Sequence, residues 1–247
     1  CLERMADLME ENSAELMSLL AHEAGKTLPD AVAEIREAVD FCRYYAAEGR
    51  THFGAAQVLP GPTGESNTLS LQGRGVFLCI SPWNFPLAIY LGQITAALMA
   101  GNTVIAKPSG QTNLIAMRTA GLLLKAGVPK DVFTLLPSSG RLIGECLVPD
   151  ERIAGICFTG STEVAQQINR TLAARKGAIV PLIAETGGQN AMIADSSALP
   201  EQIVDDVITS AFRSAGQRCS ALRVLFVQDG IAEKVIKMLD GACQELV

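Results

Sequence analysis

Several things are scarce in this sequence, and each scarcity removes a class of function. No Lys/Arg cluster or stripe stands out; acidic and basic residues are interspersed, and the formal net charge is −6. Phosphate-driven nucleic-acid binding is therefore not expected. No apolar run reaches the roughly 18 residues that suggest a membrane span. No signal-like segment is visible, so a cytoplasmic placement in a bacterium, or one in an organelle matrix, is expected. The seven cysteines form no CxxC pair. At this size and spacing neither a disulfide framework nor a metal site follows, and six of the thiols read as buried and free in a reducing compartment. The only histidines, His22 and His52, lie in an N-terminal helical region away from every strand end. A Cys–His or Ser–His catalytic pair is hard to build from them. The glycine fingerprint GxGxxG is also absent, so an ordinary dinucleotide loop is not present.

What remains is ample for a globular α/β protein. The chain has 247 residues, 49 % of them apolar and 19 % charged. That is enough for one large domain, or for one domain and part of another. Leu2, Met5, Leu8, Met9, Leu16, Leu19 and Leu20 recur at helical spacing and stop near Gly25. Val32, Ile35, Val39 and Cys42 repeat the pattern after Pro29, so the first fifty residues read as two helices. Residues 54–72 are rich in Gly, Pro, Thr, Ser and Asn and read as a loop or an irregular crossing strand. From Gly75 onward short apolar runs alternate with helical stretches. Strands are expected at 76–80, 103–106, 132–136, 153–158 and 180–184, with helices between them. Such βαβ alternation specifies a parallel sheet covered on both faces. A further strand at 191–193, a helix at 199–214, a strand at 223–227 and a last helix at 231–246 follow. The Gly187-Gly188 pair permits a change of backbone direction and marks a domain boundary. The expected fold class is α/β: a Rossmann-like cofactor domain over 1–186, including the N-terminal helices, then the start of a second α/β domain over 187–247.

Five segments carry residue types suited to chemistry. In Ala215-Gly216-Gln217-Arg218-Cys219-Ser220 the cysteine sits between a helix and a strand, where a side chain is exposed at a cleft. A neighbouring cation such as Arg218 favours the nucleophilic thiolate; a structural cysteine beside a turn fits the segment equally well. Glu185 closes an apolar strand, expected to be buried, just before two glycines. A carboxylate at the end of a parallel strand faces the ligand crevice and can act as a general base; it can also be a solvated strand end. Ser81-Pro82-Trp83-Asn84-Phe85-Pro86 holds the only tryptophan and one amide in a loop stiffened by two prolines. That suits a preorganised oxyanion donor, or simply a packed turn. Phe158-Thr159-Gly160-Ser161 ends a strand and opens a helix, whose free N–H groups can take a pyrophosphate or merely be capped. Lys107-Pro108-Ser109 places a cation at a strand end, within reach of ribose or phosphate, or on the surface.

Taken together and in this order, these segments resemble the aldehyde dehydrogenase superfamily. The resemblance rests on Pro-Trp-Asn-Phe-Pro at 82–86, Lys-Pro-Ser at 107–109, Phe-Thr-Gly-Ser at 158–161, Glu-x-Gly-Gly at 185–188 and Gly-Gln-x-Cys at 216–219. Residues 183–192 and 214–225, with Asp40-Phe41-Cys42-Arg43-Tyr44-Tyr45-Ala46, are most similar to the glutamate-semialdehyde (1-pyrroline-5-carboxylate) dehydrogenases, in particular the form fused to a proline dehydrogenase. The resemblance implies NAD-dependent oxidation of L-glutamate 5-semialdehyde to L-glutamate in proline catabolism. Cys219 would form a thiohemiacetal and then a thioester, Asn84 would hold the oxyanion, and Glu185 would activate water. Ser81, Pro82, Trp83, Lys107, Ser109, Gly140, Thr159, Gly160, Ser161 and Gly187 would surround the cofactor. Arg218 and Ser220 would meet the substrate, and no metal is implied. The implied partners are the small aldehyde, a fused or separate proline dehydrogenase domain, and further copies in a homo-oligomer of the full-length protein.

Two departures qualify the resemblance. Family members commonly carry Glu after Lys-Pro-Ser, where this chain has Gly110. That removes a charge that would repel a 2′-phosphate, so NADP stays open beside NAD. The family's later cofactor and substrate segments do not occur before Val247, so the chain is expected to be a fragment, cut at both ends and of low activity or none. A reductase of acyl phosphates shares the cysteine but needs no water-activating Glu185. A cysteine hydrolase leaves Lys107 and the Gly160-Ser161 turn without a role. Another aldehyde dehydrogenase substrate and a non-catalytic fragment or interaction module are the remaining alternatives.

Overall fold

The computed structural model describes residues 1–246. Its elements run in chain order as α1 (Leu2–Glu11), α2 (Ser13–Ala24), α3 (Leu28–Phe53), β1 (Gln57–Leu59), β2 (Asn67–Leu69), β3 (Val76–Ile80), α4 (Ala88–Met99), β4 (Thr103–Lys107), α5 (Asn113–Lys125), β5 (Phe133–Leu135), α6 (Gly140–Cys146), β6 (Ile153–Gly160), α7 (Thr162–Ala173), β7 (Leu182–Thr186), β8 (Asn190–Ala194), α8 (Pro200–Phe212), a 3-10 turn (Arg213–Gly216), β9 (Leu222–Val227) and α9 (Asp229–Gln244). The chain divides into two compact units, Cys1–Glu185 and Thr186–Val247.

In the first unit five strands form a parallel sheet in the order β5-β4-β3-β6-β7. The period-2 alternation of a strand dictates the layers. On β3, Phe77 and Cys79 point into a core built with α1 to α5. Leu78 and Ile80 point the other way, to Ile143 of α6 and Ile168 of α7. A strand buried on both faces needs an unbroken apolar run, and Val-Phe-Leu-Cys-Ile is one.

Three local differences from the sequence expectation have simple causes. The first helical stretch breaks at Asn12, whose side-chain amide donates to the Leu8 carbonyl at 2.7 Å. This bond competes with helix continuation, as Asn side chains do, so three helices stand where two were expected. Residues 54–72 contain a small antiparallel hairpin, β1 with β2. The strand expected at 180–184 lies at Leu182–Thr186 and is not buried: as the edge of its sheet it leaves Ile183 53 % exposed.

The second unit is smaller. Its parallel pair β8-β9 is covered by α8 and α9 through Ala194, Ile203, Val207, Leu222 and Val235. Ile193 and Phe226 alternate away from that core and are exposed. All seven cysteines are free, but only Cys42, Cys79 and Cys157 are buried; Cys1, Cys146 and Cys243 are exposed, contrary to expectation. They lie at helix ends, where no apolar layer covers them.

Candidate active site

The chain lays down β3, β4 and β5 in one direction across the sheet, then returns to place β6 and β7 on the other side of β3. This reversal is the topological switch point at which open α/β sheets bind ligands, beyond the carboxyl ends of the strands. Most residues singled out from the sequence stand at those ends. Ser81, Pro82, Trp83 and Asn84 follow β3. Lys107 closes β4 and Ser109 follows it. Gly140 opens α6. Thr159 and Gly160 end β6, and Ser161 caps α7 by accepting from the Val164 N–H at 3.3 Å.

Lys107 and Ser81 stand out electrostatically. Lys107 pairs in register with Ile80 and is 7 % exposed. Its ammonium has no anionic partner among the described residues, and burial lowers its pKa from the ordinary lysine value. It lines a cleft of about 420 Å³ together with Ile80, Gly140, Phe158, Val164 and Ile168. Ser81 donates its N–H to the Lys107 carbonyl at 3.1 Å. Its hydroxyl is buried without a hydrogen-bond partner. Buried polar groups are normally satisfied. A lysine lining the cleft and a buried, unpaired hydroxyl beside it fit a ligand with one ring and several hydroxyl or phosphate oxygens, such as a dinucleotide.

The other residues of the first unit are fixed by their neighbours. The Ser109 hydroxyl donates to the Gln111 side-chain oxygen. Gly110 is exposed, with open space where a Cβ would stand. Trp83 is 41 % exposed and Asn84 is half-buried. Glu185, near the end of the edge strand β7, is exposed rather than enclosed, because β7 covers neither of its faces fully. Gln93 escaped the sequence reading. Its side-chain nitrogen donates to Thr159 Oγ1 at 3.0 Å and to the Ile80 carbonyl at 3.3 Å, tying the ends of β3 and β6 together. One amide inside a largely apolar helix was the available signal.

In the second unit, Cys219 and Ser220 form an exposed turn before β9. The Asn190 side chain donates to the carbonyls of Cys219 at 2.7 Å and Ala221 at 3.0 Å. This anchor, also unassigned from sequence, holds the turn by its backbone and leaves the thiol accessible. Arg218 is half-buried and Gly187 is exposed in the β7-β8 connection. Upstream, Ser214, Ala215 and Gly216 are all left-handed, with φ of 54°, 52° and 66°. Non-glycine residues held there carry strain, which concentrates at functional sites. The Arg223 guanidinium donates to the Gly216 carbonyl at 2.7 Å and holds the run in place.

The first unit, doubly wound with polar residues gathered at its switch point, is a Rossmann-like α/β domain, and the second presents a cysteine on an anchored turn. The chain belongs to the aldehyde dehydrogenase family, whose family model matches residues 1–247. It is 55 % identical over 247 residues to the bifunctional protein PutA of Salmonella typhimurium, covering 99 % of this chain and 18 % of that protein. A crystal structure of proline utilization A from Bradyrhizobium japonicum superposes with a TM-score of 0.96 at 63 % identity, covering 99 % of this chain and 25 % of that one. A 1-pyrroline-5-carboxylate dehydrogenase from Thermus with bound NAD superposes with a TM-score of 0.94 at 34 % identity, covering 99 % and 48 %. The chain thus spans about a fifth of the length of the curated relatives it first matches.

Proposed function

We propose that the chain is the cofactor-binding and nucleophile-bearing portion of an NAD-dependent dehydrogenase that oxidises L-glutamate 5-semialdehyde, derived from 1-pyrroline-5-carboxylate, to L-glutamate. The relatives that span it, a bifunctional PutA and a 1-pyrroline-5-carboxylate dehydrogenase, support this substrate. In this reading residues 1–186 hold the cofactor and 187–247 begin the catalytic domain. The parent protein carries a proline dehydrogenase domain, is cytoplasmic and assembles with copies of itself.

Each residue then has one task. The Cys219 thiolate adds to the aldehyde carbon. The Asn84 amide and the Cys219 backbone N–H donate to the oxyanion so formed. The chemistry that bound NAD supplies is hydride acceptance, which leaves a thioester on Cys219. Glu185 takes a proton from the water that hydrolyses the thioester, and its exposure gives water free access. Arg218 and Ser220 hold the substrate carboxylate. Lys107 and Ser109 hold ribose hydroxyls, Thr159, Gly160 and Ser161 the pyrophosphate, and Ser81, Pro82, Trp83, Gly140 and Gly187 flank the rest of the cofactor. NAD is taken over NADP from the resemblance to proline-catabolic dehydrogenases; the solved relatives include both an NAD-bound and an NADP-dependent enzyme, and Gly110 offers a 2′-phosphate no repelling charge.

The observation that carries this reading is Lys107, a buried residue that lines the cleft with no anionic partner among the described residues. Calorimetric titration of the chain with NAD and NADP tests it. Saturable binding should weaken by about tenfold or more in Lys107→Ala, the size of a lost charge-assisted hydrogen bond. In the full-length parent enzyme, semialdehyde-dependent NADH formation should vanish in Cys219→Ala. Absence of binding by either nucleotide would sink the cofactor assignment.

A further inference from the structure

A charged pair lies beneath the loop that carries Asn84. Lys26, in the turn between α2 and α3, places its Nζ 3.0 Å from Oε2 of Glu34 on α3. The two side chains are 5 % and 0 % exposed. The contact is a buried ion pair. Glu34 spends its other oxygen elsewhere: Oε1 accepts the backbone N–H groups of Leu87 at 2.9 Å and Ala88 at 3.3 Å. These open α4, whose own N-cap residue, Leu87, supplies no side-chain cap. A carboxylate there also meets the positive end of the helix dipole. The Lys26 ammonium sits 3.8 Å from the centroid of the Phe85 ring.

The arrangement is unusual for a stability device. A buried ion pair seldom stabilises a fold more than an apolar pair of the same volume, because both charges must be desolvated. Desolvation dominates at Glu34, raising its pKa in spite of Lys26 and the two backbone donors. Charges do offer fixed direction. Here every direction leads to one short stretch: Phe85 through its ring, and residues 87 and 88 through their N–H groups. At its other end the loop is held by the Ser81 N–H on the Lys107 carbonyl. Between these two anchors lie only Pro82, Trp83 and Asn84.

We propose that Lys26 and Glu34 are positioning residues that, acting through Phe85 and the first turn of α4, hold the Trp83-Asn84 segment in one orientation. The inference rests on the oxyanion role of Asn84 only for its catalytic consequence. The clamp itself acts on loop geometry, which can be read without turnover.

Trp83 is the only tryptophan, so its fluorescence reports this loop alone. The test is time-resolved anisotropy of Trp83 in the 247-residue chain, with thermal unfolding as the control for folding. In the double variant Lys26→Met/Glu34→Leu, apolar volume replaces the charges, and the unfolding midpoint should stay near that of the parent chain. The amplitude of fast local Trp83 rotation should nevertheless rise by about twofold, because the cation–π and capping contacts are gone. Phe85→Leu removes only the ring face beneath the ammonium and should move the same amplitude in the same direction. A folded double variant with unchanged Trp83 rotation would overturn the proposal. If the double variant does not fold, an unchanged amplitude in Phe85→Leu overturns it alone. If Trp83 loosens while Asn84→Ala leaves aldehyde turnover by the full-length parent enzyme intact, the clamp stands and the oxyanion reading falls.

Discussion

Gly216 shows how much one residue can decide. Its φ is +66°, and a Cβ placed there would lie 2.8 Å from the Ala211 carbonyl oxygen. Both the backbone conformation and the space exclude a side chain. The left-handed run that it closes leads directly into the Cys219 turn. Gly216→Ala should therefore destabilise the second unit by about 1–3 kcal/mol, read from urea unfolding. It should also alter the rate at which Cys219 reacts with a thiol reagent, because the turn must shift. Unchanged stability and reactivity would mean that the run relaxes at no cost. The Gly and the Cys of the Gly-Gln-x-Cys segment were visible in the sequence as a pair. The strain in Ser214 and Ala215 was not, since nothing in either side chain demands a positive φ; the surrounding chain imposes it.

At the scale of elements, the boundaries follow caps. α2 ends at Gly25, left-handed, with the Lys26 N–H reaching back to the Leu20 carbonyl at 3.3 Å. This closure sets Lys26 facing inward at the start of the next turn. α3 begins at Thr27, whose hydroxyl accepts from the Asp30 N–H at 3.3 Å, with Pro29 in the first turn. Thr27→Ala should cost about 1 kcal/mol of stability, measurable as a fall in the urea midpoint with an unchanged slope. A larger loss would show that the cap also sets the Lys26–Glu34 geometry, since both residues flank it. The strands 76–80 and 103–106 were legible because a parallel sheet buried on both faces needs continuous apolar runs. The edge strand β7 was placed two residues early and taken as buried. Its composition is that of a central strand, and only its position in the sheet leaves it open.

For the whole molecule, a lysine whose pKa is lowered by burial carries a linkage cost. The folded-state pKa of Lys107 is lowered by burial, below the unfolded value of about 10.4. The penalty is complete at pH values below the folded pKa, where the ammonium is protonated in both states. It fades as pH rises from the folded pKa to the unfolded one, so this group's contribution to stability increases across that window. Lys107→Met should accordingly be more stable than the parent chain near neutral pH, with the advantage shrinking toward alkaline pH, in urea unfolding at a series of pH values. A constant difference across that range would mean that the ammonium is solvated. Stability given up at a ligand site is a common cost of function.

The sequence by itself determined the alternation of elements, the doubly wound α/β class and the membership of the family. These depend on local periodicity and on short ordered segments, which are properties of the chain read in one dimension. It also identified the residues at the strand ends, because glycines, prolines and lone polar groups interrupt apolar runs there. Only the tertiary structure decided that Lys107 is buried with no anionic partner among the described residues and that Gln93 ties β3 to β6. It alone revealed that Asn190 anchors the cysteine turn and that Lys26 and Glu34 pair against Phe85 and the start of α4. Each of these joins residues far apart in the chain through hydrogen bonds or desolvation. Whether a polar side chain is paired, orphaned or exposed depends on what folds against it, and no spacing of residues encodes that.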